Sequence, residues 1–277
     1  MKNKRVAIIG YGWVGKAMHE LFPDAFIYSR NMILHEGNWV KAQDNGVTWN
    51  DKKESYKKIV NQSDIVFICV PTPSMSNSIL DTSIVEEMIS WLNVNLIVVR
   101  STVNPGDCDR WQIKYSRKIV MQPEYLGETP QHPLLDTAKT PFMIIGGEPD
   151  YRRELIDLYI KVYNANVTIR QTTLLEAEII KLSENRAIAF KVAQAQELYD
   201  VCQKAHVDYY TIRDAVYGDD PRMNLWWTFV YPDNRGFNSK CIPKDIYAFC
   251  AWAESVGYEP YITKAILQKN NQWIHQK

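Results

Sequence analysis

The sequence predicts an α/β chain: a doubly wound parallel sheet, then a mostly helical region built on one long helix. Three observations carry that prediction. Short, continuous apolar runs recur as far as residue 145, as strands buried on both faces of a parallel sheet require. The first run leads directly into a glycine loop and a helical stretch. In the second half apolar residues recur instead at helical spacing, from Ile179 to Val201, with no proline or glycine.

Val6-Ala7-Ile8-Ile9 reads as a central buried strand, followed by Gly10-Tyr11-Gly12-Trp13-Val14-Gly15 and a helix from Lys16 to Phe22, stopped by Pro23-Asp24. Between strand and helix, each glycine of a GxGxxG loop has a mechanical task. The first makes the tight turn, the second lets a pyrophosphate approach the backbone, and the third lets helix and strand pack closely. The helix N-terminus then offers N–H groups to the phosphates. This half therefore reads as a Rossmann-type domain for NAD or NADP, with Gly10, Gly12, Trp13, Val14 and Gly15 against the cofactor.

A second strand, Ala25–Tyr28, ends in Ser29-Arg30, where a ribose-binding carboxylate usually stands in NAD enzymes. An arginine beside a hydroxyl suits a 2′-phosphate, so the reading leans to NADP. Further buried strands are expected at Ile65–Val70, Leu96–Arg100, Lys118–Met121 and Phe142–Ile145. Pro71-Thr72-Pro73, Ser101-Thr102-Val103-Asn104-Pro105-Gly106 and Pro123-Glu124 follow three of them, where an open α/β sheet gathers its ligand crevice.

Thr173-Leu174-Leu175-Glu176 is a capping box. In the long helix behind it, Glu178, Lys181 and Asn185 share one face, and from the residues alone a solvated stripe with an ion pair is the favoured reading. A helix of that length suits packing against another domain or a second subunit, hence a homodimer. Cys241 precedes a helix that Pro243 starts and Gly257 stops, with Lys240 and Lys244 beside it. The helix dipole and both ammonium groups favour its thiolate. Cys202 and Cys250 read as inert helix packing, Cys69 as part of a buried strand and Cys108 as a loop residue. The boundary is expected at 171/172, between an NAD(P)-binding domain (1–171) and a helical, cysteine-bearing domain (172–277).

Composition narrows the classes. Lys plus Arg and Asp plus Glu number 32 each, which argues against a nucleic-acid binder. The start shows no signal-peptide pattern and no apolar run reaches membrane-spanning length. Five cysteines without a CxxC pair point away from a disulfide framework or a metal site and toward the cytoplasm.

Taken together, these segments resemble the UDP-glucose/GDP-mannose dehydrogenase family. The resemblance rests on Gly10–Gly15, Val70-Pro71-Thr72-Pro73, Ser101-Thr102-Val103, Pro123-Glu124-Tyr125-Leu126-Gly127-Glu128, Lys181 with Asn185, Asp220-Pro221-Arg222 and Gly236-Phe237…Cys241…Lys244-Asp245, all in order. It implies oxidation of a nucleotide sugar's primary alcohol to a carboxylate, with Cys241 as nucleophile. Lys181 and Asn185 would steady an oxyanion, Asp245 and Thr102 would position water or relay protons, and Glu124 would be a general base. Val70, Pro71, Thr72, Ser101, Thr102 and Lys244 would contact the cofactor. Glu124, Tyr125, Leu126, Glu128, Lys181, Asn185, Arg222 and Gly236 would contact the substrate.

Asn238-Ser239-Lys240 departs from the family's two glycines and a serine, and the sequence stops about where the family's C-terminal nucleotide-sugar domain would begin. Two other readings stay open. One is a single-hydride NADP-dependent dehydrogenase or reductase of a small hydroxy acid, with Lys181 as acid/base. The other is a non-catalytic dinucleotide-binding subunit.

Overall fold

The computed structural model describes residues 4–30, 32–35, 37–41, 49–127, 134, 136, 139–163 and 167–275. It divides into two compact units, Met1–Pro73 with Asp81–Lys181, and Ser74–Leu80 with Leu182–Lys277.

The first unit follows the order β1 (Val6–Ile9), α1 (Trp13–Leu21), β2 (Phe26–Tyr28), β3 (Met32–His35), β4 (Asn38–Lys41), α2 (Trp49–Val60), β5 (Ile65–Ile68) and α3 (Ser83–Trp91). It continues with β6 (Leu96–Val99), α4 (Asp107–Tyr115), β7 (Ile119–Met121), β8 (Phe142–Gly146), α5 (Pro149–Tyr159), β9 (Thr168–Thr172) and the start of α6 (Leu174–Ala205). The strands form one sheet ordered β4-β3-β2-β1-β5-β6-β7-β8-β9. Strands β1, β5 and β6 are buried throughout. Alternate side chains enter two cores. Ala7, Ile9, Val66 and Ile68 meet Val85, Met88 and Trp111 on one face. Val6, Ile8, Ile65 and Phe67 meet Met18, Leu21, Leu155 and Leu158 on the other. Burial of both faces makes these strands read as unbroken apolar runs. Strand order reverses between β1 and β5, so the ends of those two strands flank the crevice where α/β sheets bind ligands.

The sheet is not wholly parallel. β2 pairs antiparallel with β3, β3 with β4, and β7 with β8. A parallel return needs a crossover of about a dozen residues or more, and the chain between Tyr28 and Met32 is too short for one.

The second unit carries the rest of α6, then α7 (Tyr209–Arg213), a π-helical turn (Asp214–Asp219), α8 (Ile242–Ser255) and α9 (Tyr261–His275). Its main core joins Ala189 of α6, Phe237, Ile246 and Cys250 of α8, and Leu267 of α9. The capping box opens α6 as expected: Thr173 N donates to Glu176 Oε2 (2.7 Å) and Glu176 N donates to Thr173 Oγ1 (3.2 Å). The two units divide at Lys181–Leu182, inside α6. Leu174 and Ala177 bind the first turns of that helix into the sheet's core.

Candidate active site

In the glycine loop, sterics leave little choice of residue. Gly10 has φ +93, and a Cβ there would lie 2.3 Å from the Cys69 carbonyl oxygen. A Cβ on Gly15 would lie 2.0 Å from the Gly10 carbonyl oxygen. At Gly12, by contrast, a Cβ would meet nothing within 4 Å. Gly12 is also the N-cap of α1, which has no side-chain cap and no acidic residue in its first turn. Open space before a helix N-terminus without competing anions fits a pyrophosphate. Trp13 is exposed and Val14 half-buried beside it. Gly10 N donates to Tyr28 O (2.8 Å), which ties the loop to the end of β2. Half-buried Ser29 and exposed Arg30 follow.

The ends of β5 and β6 are laced together. Val70 N donates to Ser101 Oγ (3.0 Å), whose hydroxyl donates to Val70 O (2.7 Å). Thr72 Oγ1 donates to the Thr102 carbonyl (2.6 Å). Thr72 and Ser101 are buried, Thr102 is half-buried and Pro71 is exposed. Behind this lacing, Glu178 is fully buried and accepts from Gly106 N (2.6 Å) and Cys108 N (2.9 Å) at the start of α4. Burial pushes its carboxyl up to about 7, against the opposing pull of those two N–H groups.

Glu124 forms the centre of the next cluster. Its Oε1 accepts from Tyr125 N (2.7 Å) and Leu126 N (2.9 Å), and its Oε2 pairs with the buried Arg100 guanidinium. Tyr125 is buried, with Leu126 half-buried after it. Lys181 Nζ lies 5.0 Å from the centroid of the Tyr125 ring.

The second unit gathers another set. Asn185 Nδ2 donates to Asp245 Oδ2 (2.5 Å), and Lys244 Nζ donates to Asp245 Oδ1 (2.6 Å). Asn185 and Asp245 are both buried. Cys241 is exposed at the N-cap of α8, and its carbonyl accepts from Asp245 N (3.0 Å). The turn before it is clamped by Asn270 of α9, whose amide accepts from Phe237 N (2.7 Å) and donates to Phe237 O (3.0 Å). Gly236 has φ +76, with Asn270 Oδ1 2.5 Å from where a Cβ would stand. Arg222 is exposed, its guanidinium held by Asp220 (Nη2–Oδ2 2.6 Å).

The expected site residues thus fall into two groups. The first unit assembles the glycine loop, the Val70–Thr72 and Ser101–Thr102 ends, Glu124, Tyr125, Leu126 and Lys181. The second assembles Asn185, Gly236, Cys241, Lys244 and Asp245, with Arg222 on its own loop. Glu128 lies outside the described residues.

Two sequence readings are corrected. Glu178, Lys181 and Asn185 do not form a solvated stripe, since all three are buried, Glu178 completely. Cys108 lies in the first turn of α4, not in a loop, because Gly106 at φ +95 turns the chain into that helix. Burial there raises the Cys108 thiol well above its ordinary range, and Cys69 is pushed up to about 12. The sequence reading missed Arg100 and Asn270. An arginine closing an otherwise apolar strand was the available signal for the first. An asparagine inside an ordinary amphipathic helix gave none for the second.

No helix among the described residues is long and apolar enough to cross a membrane, and among them no cluster of side chains could hold a metal ion. Two family models match the chain: the UDP-glucose/GDP-mannose dehydrogenase family, NAD binding domain, over residues 40–165, and the central domain of the same family over residues 175–272. Among similar proteins, UDP-glucose 6-dehydrogenase of Rickettsia bellii is 26% identical over 78% of this chain and 51% of its own length. GDP-mannose 6-dehydrogenase of Pseudomonas aeruginosa is 27% identical over 80% and 54%. The chain therefore spans about half the length of the curated relatives it matches. In fold it is similar to a UDP-glucose dehydrogenase from Pyrobaculum islandicum, with a TM-score of 0.77 at 24% identity over 98% of this chain and 68% of that one. With both domain models matched in sequence order, the chain belongs to the UDP-glucose/GDP-mannose dehydrogenase family.

Proposed function

We propose that the chain oxidises the primary alcohol of a nucleotide sugar of the UDP-glucose type to a carboxylate, by two hydride transfers and a covalent intermediate on Cys241. The observation that carries this reading is an exposed cysteine at the N-cap of α8, one turn before a buried Asp245 that holds Asn185. Its place in a chain of this family supports it, as do relatives named for 6-dehydrogenation of UDP-glucose and GDP-mannose.

A bound nicotinamide dinucleotide supplies the hydride acceptor in each oxidation. The glycine loop and the open N-terminus of α1 would hold its pyrophosphate, the ends of β5 and β6 its nicotinamide half, and Ser29-Arg30 a 2′-phosphate, which favours NADP. In the first oxidation the alcohol loses a hydride and a proton to become an aldehyde. Cys241 Sγ then adds to the carbonyl carbon, and the oxygen takes a proton to give a thiohemiacetal. Loss of a second hydride and that proton gives a thioester. Water attacks its carbon, the C–S bond breaks, and the carboxylate leaves with Cys241 restored as thiolate, the water's two protons passing to solvent. In this reading Lys181 and Asn185 would each steady the oxygen as it gains charge, and Asp245 and Thr102 would each position water or relay protons. The long α6 supports a homodimer, which sedimentation would refute by finding only monomer at micromolar concentration.

The test is a panel of UDP-, GDP- and simple sugars offered with NAD⁺ and NADP⁺ separately. The expected result is two reduced cofactors per acid formed, abolished by Cys241→Ser. One reduced cofactor per product, unaffected by that substitution, would replace this reading with a single hydride transfer assisted by Lys181. Dinucleotide binding without turnover on any sugar would leave a binding subunit.

A further inference from the structure

The Lys181 side chain is 8% exposed, and among the described residues no carboxylate forms an ion pair with its ammonium. A cation carried on a largely buried side chain loses part of its hydration and needs compensation for it. Here it comes from a ring: Nζ stands 5.0 Å from the centroid of Tyr125, within the range where the negative face of an aromatic ring attracts a cation. The ring is itself fixed. It packs on Phe142 with centroids 5.1 Å apart, and the backbone N–H groups of Tyr125 and Leu126 are both held by Glu124 Oε1. The other Glu124 oxygen is held by Arg100, buried at the end of β6. Both carboxylate oxygens are thus engaged in shaping the turn, an arrangement that suits an anchor better than a general base.

We propose that Tyr125 is a positioning residue whose ring face seats the Lys181 ammonium, and that Arg100 aims the ring by clamping Glu124. The proposal deepens the reading of Lys181 as an oxyanion-steadying cation and rests on it only for the catalytic consequence. It predicts that the geometry exists, and contributes to stability, whether or not the chain oxidises sugars.

The experiment replaces Tyr125 by phenylalanine and by mono-, di- and trifluorophenylalanine. Shape is nearly constant across that series while the negative ring face is progressively lost. With Lys181 present, the folding equilibrium constant measured in urea should fall stepwise, by about tenfold across the series. In the Lys181→Met background the series should be flat. Equal slopes in the two backgrounds would overturn the proposal, because a ring that merely fills space does not sense the ammonium. Arg100→Met should flatten the slope with Lys181 present. Arg100→Lys, which keeps a charge for Glu124, tests the same point if the methionine variant fails to fold, and should retain part of the slope. An unchanged slope in the folded Arg100 variants would remove Arg100 from the proposal. Once a substrate is found, kcat should follow the same series with KM little changed. A stability slope with no turnover on any sugar would instead leave the seat intact and remove the dehydrogenase reading.

Discussion

Two turns in this chain open into helices after a glycine, and they are held by different means. The turn at 10–15 is fixed by its own backbone: Gly10 and Gly15 have carbonyl oxygens 2.3 and 2.0 Å from where a Cβ would stand. The turn at 236–241 is held by side chains, from outside by the Asn270 amide on Phe237 and from within by Ser239 Oγ accepting from Ile242 N (3.2 Å). A backbone-fixed turn must keep its glycines. A turn clamped by side chains tolerates Asn238-Ser239-Lys240, because its path depends on a residue some thirty positions away. The helices behind the turns differ accordingly. α1 begins with no acid in its first turn, whereas α8 begins over buried Asp245, already bonded to Asn185 and Lys244.

The largest expected effect comes from breaking the backbone-fixed turn. Gly15→Ala places a methyl group against a backbone oxygen, and neither can yield without moving β1 or α1. The expected cost is about 4 kcal/mol or more, with loss of dinucleotide binding. Gly12→Ala is its control. With nothing within 4 Å of the added Cβ, stability should change by less than ~0.5 kcal/mol, while under the proposed cofactor reading dinucleotide affinity falls because the methyl would occupy the phosphate's approach. Thermal unfolding and calorimetry on the two variants separate these outcomes. Equal loss of stability in both would show that the loop is not built in this way.

A third helix start, that of α4, sharpens the comparison because its cap is a buried carboxyl. Glu178 is raised to about 7 in the folded protein, above the ordinary 4.5. Between those two values the folded state binds the extra proton, so stability falls as pH rises from about 4.5 to about 7. The full difference is on the order of 3 kcal/mol. Glu178→Gln should flatten the dependence of urea stability on pH across that window. A wild-type curve that instead climbs through it would show that the two N–H bonds outweigh burial.

Asn270→Ala tests the side-chain clamp. It strands the buried N–H and carbonyl of Phe237 and should cost about 2 kcal/mol. Under the proposed chemistry it should also slow transfer to Cys241, while dinucleotide affinity, which the same proposal assigns to the other turn, stays unchanged. Loss of cofactor binding in this variant would contradict that separation.

The same contrast explains what could be read from the sequence. β1, β5 and β6 were legible because burial on both faces leaves an unbroken apolar run, and the capping box of α6 because its two partners are three residues apart. β3 and β4 were not: the apolar run of β3 is only Met32-Ile33-Leu34, and β4 at the sheet's edge has a polar residue at each end, Asn38 and Lys41. Pairings across the fold left no local trace, even where a residue such as Arg100 stood out by itself: Asn270 with Phe237, Arg100 with Glu124, and Glu178 with the start of α4. The same limit turned a buried face of α6 into an expected solvated one. Helical spacing shows that Glu178, Lys181 and Asn185 share a face, but what covers the face depends on packing.

The smallest effect concerns the proposed reading of the cofactor by Arg30, which rests on a single side chain. The end of β2 is anchored to the glycine loop by Gly10 N on Tyr28 O, so Ser29 and Arg30 follow the strand at the position where Rossmann-type domains read the adenosine ribose. A carboxylate there accepts from both ribose hydroxyls and repels a 2′-phosphate. A guanidinium has nothing to offer the hydroxyls as an acceptor, but it pairs with a phosphate through two N–H groups. Arg30 is exposed, and water screening keeps the gain modest. Arg30→Ala should therefore weaken NADP⁺ binding about tenfold, roughly 1.4 kcal/mol, and leave NAD⁺ affinity within about twofold. Equal weakening of both by calorimetry would mean that Arg30 supports the turn rather than reading the phosphate. An unchanged NADP⁺ affinity would place adenosine recognition on the backbone alone.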